Sequence, residues 1–282
     1  MIDRQTKFLI VGLGLMGGSY ARGLKRRGYT VNAIDKNPDS IAFAIQKGWI
    51  DGGATMDLSL IEQADVVIFG LYPHTMIQWI QTYQSHFKSG IFITDVSGVK
   101  CHIVDEVQAI LRPDVEFIAS HPMAGKEVSG VQNADDAMFM EANFLITPTA
   151  HNTQQGINFA KEFAQILEFH HIAVLSLQEH DEMIGFVSQL THAIAVSLMN
   201  CNDNPHLHEY TGDSFRDLTR IARINETLWS ELFFANKDVL VKEIDAFTAE
   251  LQNLKSKLIA HDEQGLKALF IQSTQRRKRF DK

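Results

Sequence analysis

Cysteine is nearly absent: Cys101 and Cys201 are the only two in 282 residues. They stand in unrelated settings with no CxxC or histidine-rich spacing, so neither a disulfide framework nor a metal site is expected, and both read as small buried hydrophobes. An excess of basic charge is missing too. With 26 Lys and Arg against 34 Asp and Glu the formal net charge is -8, which argues against a generic nucleic-acid or anionic-membrane surface, since those need a basic patch. A small anionic substrate held by a few arginines stays compatible with that balance. The start, Met1-Ile2-Asp3-Arg4, enters an apolar run far too short for a signal peptide, and no later run is expected to stay free of charge long enough to cross a bilayer. A cytoplasmic location follows as an expectation.

What is present is apolar residue in quantity, 45% of the chain, enough for two cores at this length. Phe8-Leu9-Ile10-Val11 is a continuous apolar run, the pattern of a strand buried on both faces of a parallel sheet. It leads into Gly12-Leu13-Gly14-Leu15-Met16-Gly17, which matches GxGxxG and opens a helical pattern through Leu24. In such a loop the first glycine allows the tight turn, the second lets backbone approach a pyrophosphate, and the third lets the helix lie close to the strand. A second strand, Thr30 to Ile34, ends in Asp35, where a carboxylate would bond the ribose hydroxyls of NAD and repel a 2′-phosphate. Lys36 beside it is counted with the cofactor residues. Further alternation gives strands at Val66–Gly70 and Ile91–Thr94 and helices at Ile41–Lys47, Pro73–Phe87 and Val99–Leu111. This is a doubly wound Rossmann-type sheet, in which ligands sit beyond the carboxyl ends of the strands. Leu71 and Tyr72, Asp95 to Gly98, and His121-Pro122 all fall there.

Phe117-Ile118-Ala119-Ser120 reads as a strand delivering the loop His121-Pro122-Met123-Ala124-Gly125-Lys126-Glu127-Val128-Ser129-Gly130. An imidazole next to a proline, with a lysine and a carboxylate following, suits a proton-transfer residue, although a lone loop histidine is often structural. Ser97 is equally readable as a helix cap. A strand at Asn143–Pro148, a helix at about Thr153–His170 and a last strand at Ile172–Leu175 follow, and from Gln178 onward only helical spacing appears. Two domains are therefore expected, 1–176 binding the dinucleotide and 177–282 helical. In the second, His180-Asp181 opens a helix and His192 falls on a similar face. Arg216, Arg220 and Arg223 are spaced i, i+4, i+7, one face of a regular helix that could clamp carboxylates or simply pair with surface acids.

With these residues in view the chain resembles the prephenate dehydrogenases of tyrosine biosynthesis from Phe8 to about Ile271. The resemblance is carried by VGLGLMGGS at 11–19, DVSGVK at 95–100, HPMAGKEVSG at 121–130 and FRDLTRIARINETLW at 215–229. It implies that His121 is the catalytic histidine, that Arg220 binds a substrate carboxylate, that His192 faces the substrate and that the helical domain dimerises. Lys126 is added as a second cation, and Trp229, which closes the last signature, as a substrate contact. Family members often read DVGSVK, with the serine hydrogen-bonded to the histidine. Here the serine stands one position earlier, so the resemblance leaves open whether Ser97 supplies that hydroxyl from a shifted backbone or the contact is replaced. Longer members append a regulatory domain, which is not expected here. The implied reaction is NAD-dependent oxidative decarboxylation of prephenate. The alternatives are arogenate as substrate, a 3-hydroxy-acid dehydrogenase, or an NAD(H) sensor without turnover.

Overall fold

The run Phe8–Val11 is at most 2% exposed and forms most of β1 (Lys7–Val11), the strand on which a six-stranded parallel sheet is built. The structure, a computed structural model, describes residues 2–280. Around β1 lie β2 (Thr30–Ile34), β3 (Gly52–Ala54), β4 (Val66–Phe69), β5 (Phe92–Asp95) and β6 (Glu116–Phe117), in spatial order β3-β2-β1-β4-β5-β6. The order reverses between β1 and β4, which opens a crevice at their carboxyl ends. Helices α1 (Leu15–Arg26), α2 (Pro38–Gln46), α3 (Leu58–Gln63), α4 (Pro73–Tyr83) and α5 (Cys101–Ile110) connect the strands. The edge strand β3 escaped the sequence reading because Gly-Gly-Ala has no apolar run; it is held by pairing to β2.

The strand expected at 117–120 is in fact two. β6 ends at Phe117, and β7 (Ser120–Pro122) runs antiparallel to β8 (Asn143–Ile146) in a second sheet completed by β9 (His171–Val174). The reason is Asp95, the last residue of β5. Its Oδ1 accepts from Ser120 N at 3.1 Å, and its carbonyl accepts from Ser120 Oγ at 3.0 Å, drawing the chain out of the first ladder. His121 therefore sits on a strand rather than in a loop. Pro122 follows it without disrupting a ladder, since β7 pairs on one side only. Helix α6 (Gln154–Ile166) crosses from β8 to β9 and lays Phe163 against Phe8 of the first sheet, Tyr20 of α1 and Phe144 of the second.

Beyond β9 all described elements are helical. Ser176 and Glu179 form a capping box that opens α7 (Leu177–Ile184), which continues through a π-helical turn, Gly185–Leu190, into α8 (Thr191–Asn200). Then come α9 (Leu207–Tyr210), α10 (Asp213–Thr219), α11 (Glu226–Ala235), α12 (Lys237–Ile259) and α13 (Glu263–Arg277). By length and composition alone, the expectation that no run could span a bilayer does not hold for the helix Leu177–Asn200, 24 residues long with an 18-residue window of mean hydropathy 1.2. That helix nevertheless buries His180 and Asp181 against the sheet domain, polar contacts that length and composition alone do not report.

The arginine face is also corrected. α10 stops at Thr219, Arg220–Ala222 is a tighter 3-10 turn, and Arg223 has left helical geometry, so the three guanidiniums do not share one face. On α12, Leu240, Ile244, Phe247, Leu251, Leu254 and Leu258 recur at alternating steps of four and three, and only Leu240 is buried. That is a seam pattern without a partner in the monomer.

Phe163 ties both sheets and α1 into one core. Phe163→Ala should cost about 3–5 kcal/mol, read as a lower urea midpoint in a single transition reported alike by circular dichroism and tryptophan fluorescence.

Candidate active site

The glycine loop has the shape its spacing implies. Gly12 has φ +100°, and a Cβ there would lie 2.6 Å from the Gly70 carbonyl oxygen; at Gly17 a Cβ would meet Gly12 O at 1.9 Å, so the helix start and the turn touch. Gly14, in contrast, has open space where a side chain would be. Leu13, Leu15 and Met16 complete the turn into α1, with Leu13 buried and the other two half-buried. Asp35 at the end of β2 accepts from Leu13 N through Oδ2 and from Asn37 N through Oδ1. Lys36 beside it is exposed. At the end of β4, Leu71 is half-buried and the Tyr72 hydroxyl accepts from Asn225 Nδ2 at 3.1 Å. The first amide of α4, on His74, binds Glu231 of α11 at 2.7 Å. The helical part thus closes over the carboxyl end of the sheet.

His121 enters this space from β7. Its Nδ1 lies 2.9 Å from His180 Nε2, and His180 Nδ1 lies 2.7 Å from Asp181 Oδ1. His180 is fully buried. Burial alone would raise the Asp181 carboxyl, but hydrogen bonds from His180 and Cys101 outweigh it and hold it below the ordinary value. His180 is lowered by burial against the pull of Asp181. His121 is lowered well below the usual imidazole value, first by burial, then by His180 and Lys100. Among the described residues no protein group binds its Nε2.

The strand end at 95–100 builds the floor. Lys100, with no exposed surface, donates from Nζ to both Asp95 oxygens at 2.9 and 2.7 Å and to the Ser120 carbonyl at 2.7 Å. Asp95 Oδ2 also accepts from Ser97 N. The expected contact from Ser97 to the histidine is not made. Its backbone is fixed by Asp95, its buried hydroxyl has no protein partner, and Gly98 is the residue facing the ring, where a Cβ would stand 3.8 Å from His121 Nε2. The one-residue shift of the serine has its physical consequence there.

The other cations and rings fall in two places. His192 donates from Nδ1 to the Ser188 carbonyl at 2.8 Å and stacks on Trp229, centroids 3.7 Å apart. Its pKa is lowered by burial first, with Glu127 and Arg220 acting on it in opposite senses, so these four residues form one group. Arg220 ion-pairs with Glu127 of the segment after β7. Lys126, expected to face the substrate, instead reaches Asp135 at 3.1 Å, a carboxylate shared with Arg22 of α1; the nearer acid wins. Arg216 binds Asp213 and the Thr211 carbonyl. The sequence reading paired His180 with His192 by helical spacing, whereas the structure gives each a different neighbour. It missed Lys100, Asp95 and Glu127 as site residues, although each lies inside a signature it quoted. Among the described residues no cluster suits a metal ion.

Comparison with known proteins agrees with this architecture. A family model described as "Prephenate dehydrogenase, nucleotide-binding domain" matches residues 20–172, and one described as "Prephenate dehydrogenase, dimerization domain" matches 176–272. A prephenate dehydrogenase of Bacillus subtilis is 28% identical over 274 residues, 94% of this chain and 74% of its own length. A cyclohexadienyl dehydrogenase of Zymomonas mobilis is 28% identical over 264 residues, 90% of this chain and 88% of its own. Among solved structures, a prephenate dehydrogenase from A. aeolicus in complex with hydroxyphenyl propionate and NAD+ superposes with a TM-score of 0.90 at 29% identity, covering 99% of both chains. With both halves matched and the dinucleotide loop and histidine strand in place, the chain belongs to the prephenate dehydrogenase family.

Proposed function

We propose that this chain catalyses the NAD-dependent oxidative decarboxylation of prephenate to 4-hydroxyphenylpyruvate, with His121 as the base. The observation that carries the reading is the His121 ring, Nδ1 engaged by His180 and Nε2 without a protein partner among the described residues. Prephenate is a cyclohexadiene with a C4 hydroxyl, a ring carboxylate and a side-chain carboxylate. When bound, NAD+ accepts the C4 hydride. The hydroxyl must shed its proton as the hydride leaves, and a neutral imidazole nitrogen is the acceptor that step requires. Loss of the ring carboxylate as CO2 then aromatises the ring. In the A. aeolicus protein the ligand beside NAD+ is a hydroxyphenyl acid, the class of molecule this product belongs to.

The residues toward the cofactor fit it. Gly12, Gly14 and Gly17, with Leu13, Leu15 and Met16, would hold the pyrophosphate in the open space at Gly14. Asp35 retains acceptor capacity for the ribose hydroxyls, with Lys36 at its edge. Leu71 and Tyr72 would flank the dinucleotide at the end of β4. Arg220, His192 and Trp229 would meet the substrate's carboxylate end. Arg220 pairs with Glu127 through Nη1 in this structure, which leaves the other N–H donors of the guanidinium for a substrate carboxylate. Lys126 is retained as a substrate contact only if its Asp135 pairing opens. The division of labour follows residues 1–176 and 177–282, at the Ser176 cap.

The chain is further inferred to be a cytoplasmic homodimer. Both cysteines are free, Cys101 half-buried and Cys201 exposed rather than buried as expected, and the exposed stripe of α12 lies in the segment matched by the dimerization model.

The primary test is NADH formation at 340 nm from prephenate and NAD+, beside arogenate. Rapid turnover with prephenate is expected; turnover with arogenate alone would reassign the substrate. His121→Asn should lower kcat by roughly 10²- to 10⁴-fold with little change in the KM for NAD+. Because the base must be neutral and its pKa lies below the usual imidazole value, kcat/KM should stay level on acidification past about pH 6.5 and fall only below it. Arg220→Gln removes a charge-assisted contact worth about 1.5–3 kcal/mol and should raise the prephenate KM by roughly 10- to 100-fold with NAD+ binding unmoved. Phe247→Glu with Leu251→Glu should convert a dimer to monomer in light scattering after gel filtration.

A further inference from the structure

We propose that His180 and Asp181 are positioning residues that fix the tautomer of His121, leaving Nε2 bare and the ring proton on Nδ1. This deepens the assignment of His121 as base and rests on it. Asp181 is held ionised and accepts at both oxygens. Oδ1 takes His180 Nδ1 at 2.7 Å and Lys100 N at 2.9 Å, and Oδ2 takes Cys101 N at 2.8 Å. An ionised carboxylate only accepts, so the proton in the 2.7 Å contact belongs to His180 Nδ1. His180 is fully buried and its pKa is depressed, so it is neutral and its Nε2 is an acceptor. The 2.9 Å contact to His121 then needs a donor, and that donor is His121 Nδ1–H. Neutral His121 has no second proton, and its Nε2 lone pair is presented to the cleft.

Nothing else near the ring does this. The Ser97 hydroxyl has no partner and Gly98 offers no side chain, so the Nε2 side carries no protein donor among the described residues. The carboxylate itself is fixed from behind, since Asn236 Nδ2 donates to the Asp181 carbonyl at 2.9 Å and to Gln189 Oε1 at 2.8 Å. During turnover, Nε2 takes the hydroxyl proton and the Nδ1 proton can pass to His180 Nε2. His121 is then neutral with its proton on Nε2, and the positive charge rests on His180 beside the Asp181 carboxylate. Lys100 and Asp95, which face the pair from the β5 end, are already matched to each other.

The test reads the tautomer directly, by side-chain ¹⁵N NMR of histidine-labelled full-length enzyme without substrate, with His121 assigned by its loss in His121→Asn. The expected signature is protonated Nδ1 and bare Nε2. His180→Gln, whose amide oxygen reaches about where Nε2 stood, should keep that signature and stay within roughly tenfold of wild-type kcat. His180→Phe should give mixed tautomers and lower kcat by roughly 10²-fold, with the KM for NAD+ unchanged. A proton on Nε2 in the wild-type enzyme, or full kcat in His180→Phe, overturns the proposal. Absence of prephenate turnover would strike the functional reading instead and leave the tautomer measurement standing.

Discussion

Lys100 has no exposed surface, and the site depends on how its buried amine is met. Its ammonium sits between both Asp95 oxygens and the Ser120 carbonyl. Burial works to discharge it, and Asp95 works against that. Uncompensating one member of such a pair costs about 3–5 kcal/mol, so β5, the start of α5 and β7 are bound to move together. The geometric effect is larger than the energetic one. Asp95 ends a strand of the first sheet and Ser120 begins a strand of the second, so the ion pair is the joint between sheets, and His121 is the next residue along. The histidine is aimed by the backbone that this joint holds.

A second polar joint attaches the helices. Asp181 receives the amides of Lys100 and Cys101 at the beginning of α5, amides that have no partner within their own helix. One carboxylate thereby caps α5, orients His180 and docks α7 on the sheet. This explains how a helix apolar enough to resemble a membrane span is placed in this fold: buried His180 and Asp181 are committed to contacts with the sheet domain, and buried Gln189 to α11 and Asn236.

The fold was legible where one local rule decided the outcome. The buried run before the glycines, the glycine spacing and the strand ending in Asp35 each follow from short-range sterics and periodicity, and they stand where expected. What was not legible depended on contacts between distant residues. Nothing within Phe117–Ser120 announces that Asp95 will divide it between two sheets. Helical spacing placed His180 with His192, but the first is claimed by His121 on a strand of the second sheet and the second by Trp229 on another helix. The arginine spacing assumed a regular helix that ends at Thr219. Lys126 looked free because its partner, Asp135, lies beyond the signature that contains it. Charged side chains find the nearest countercharge in space, and the sequence lists neighbours only along the chain.

The α11–α12 junction carries the argument from the site to the assembly. α11 brings Trp229 to His192 and Leu232 to Gly98, and Gln189 of the π-helical turn donates to the Leu232 carbonyl. Asn236, between the two helices, binds Gln189 and the Asp181 carbonyl. α12, with its uncovered apolar stripe, starts one residue later. The uncovered apolar stripe and the carboxylate behind the histidine pair are therefore anchored to the same buried asparagine. Asn236 thus links the start of α12 to the backbone of Asp181, and through that carboxylate to the His180–His121 pair.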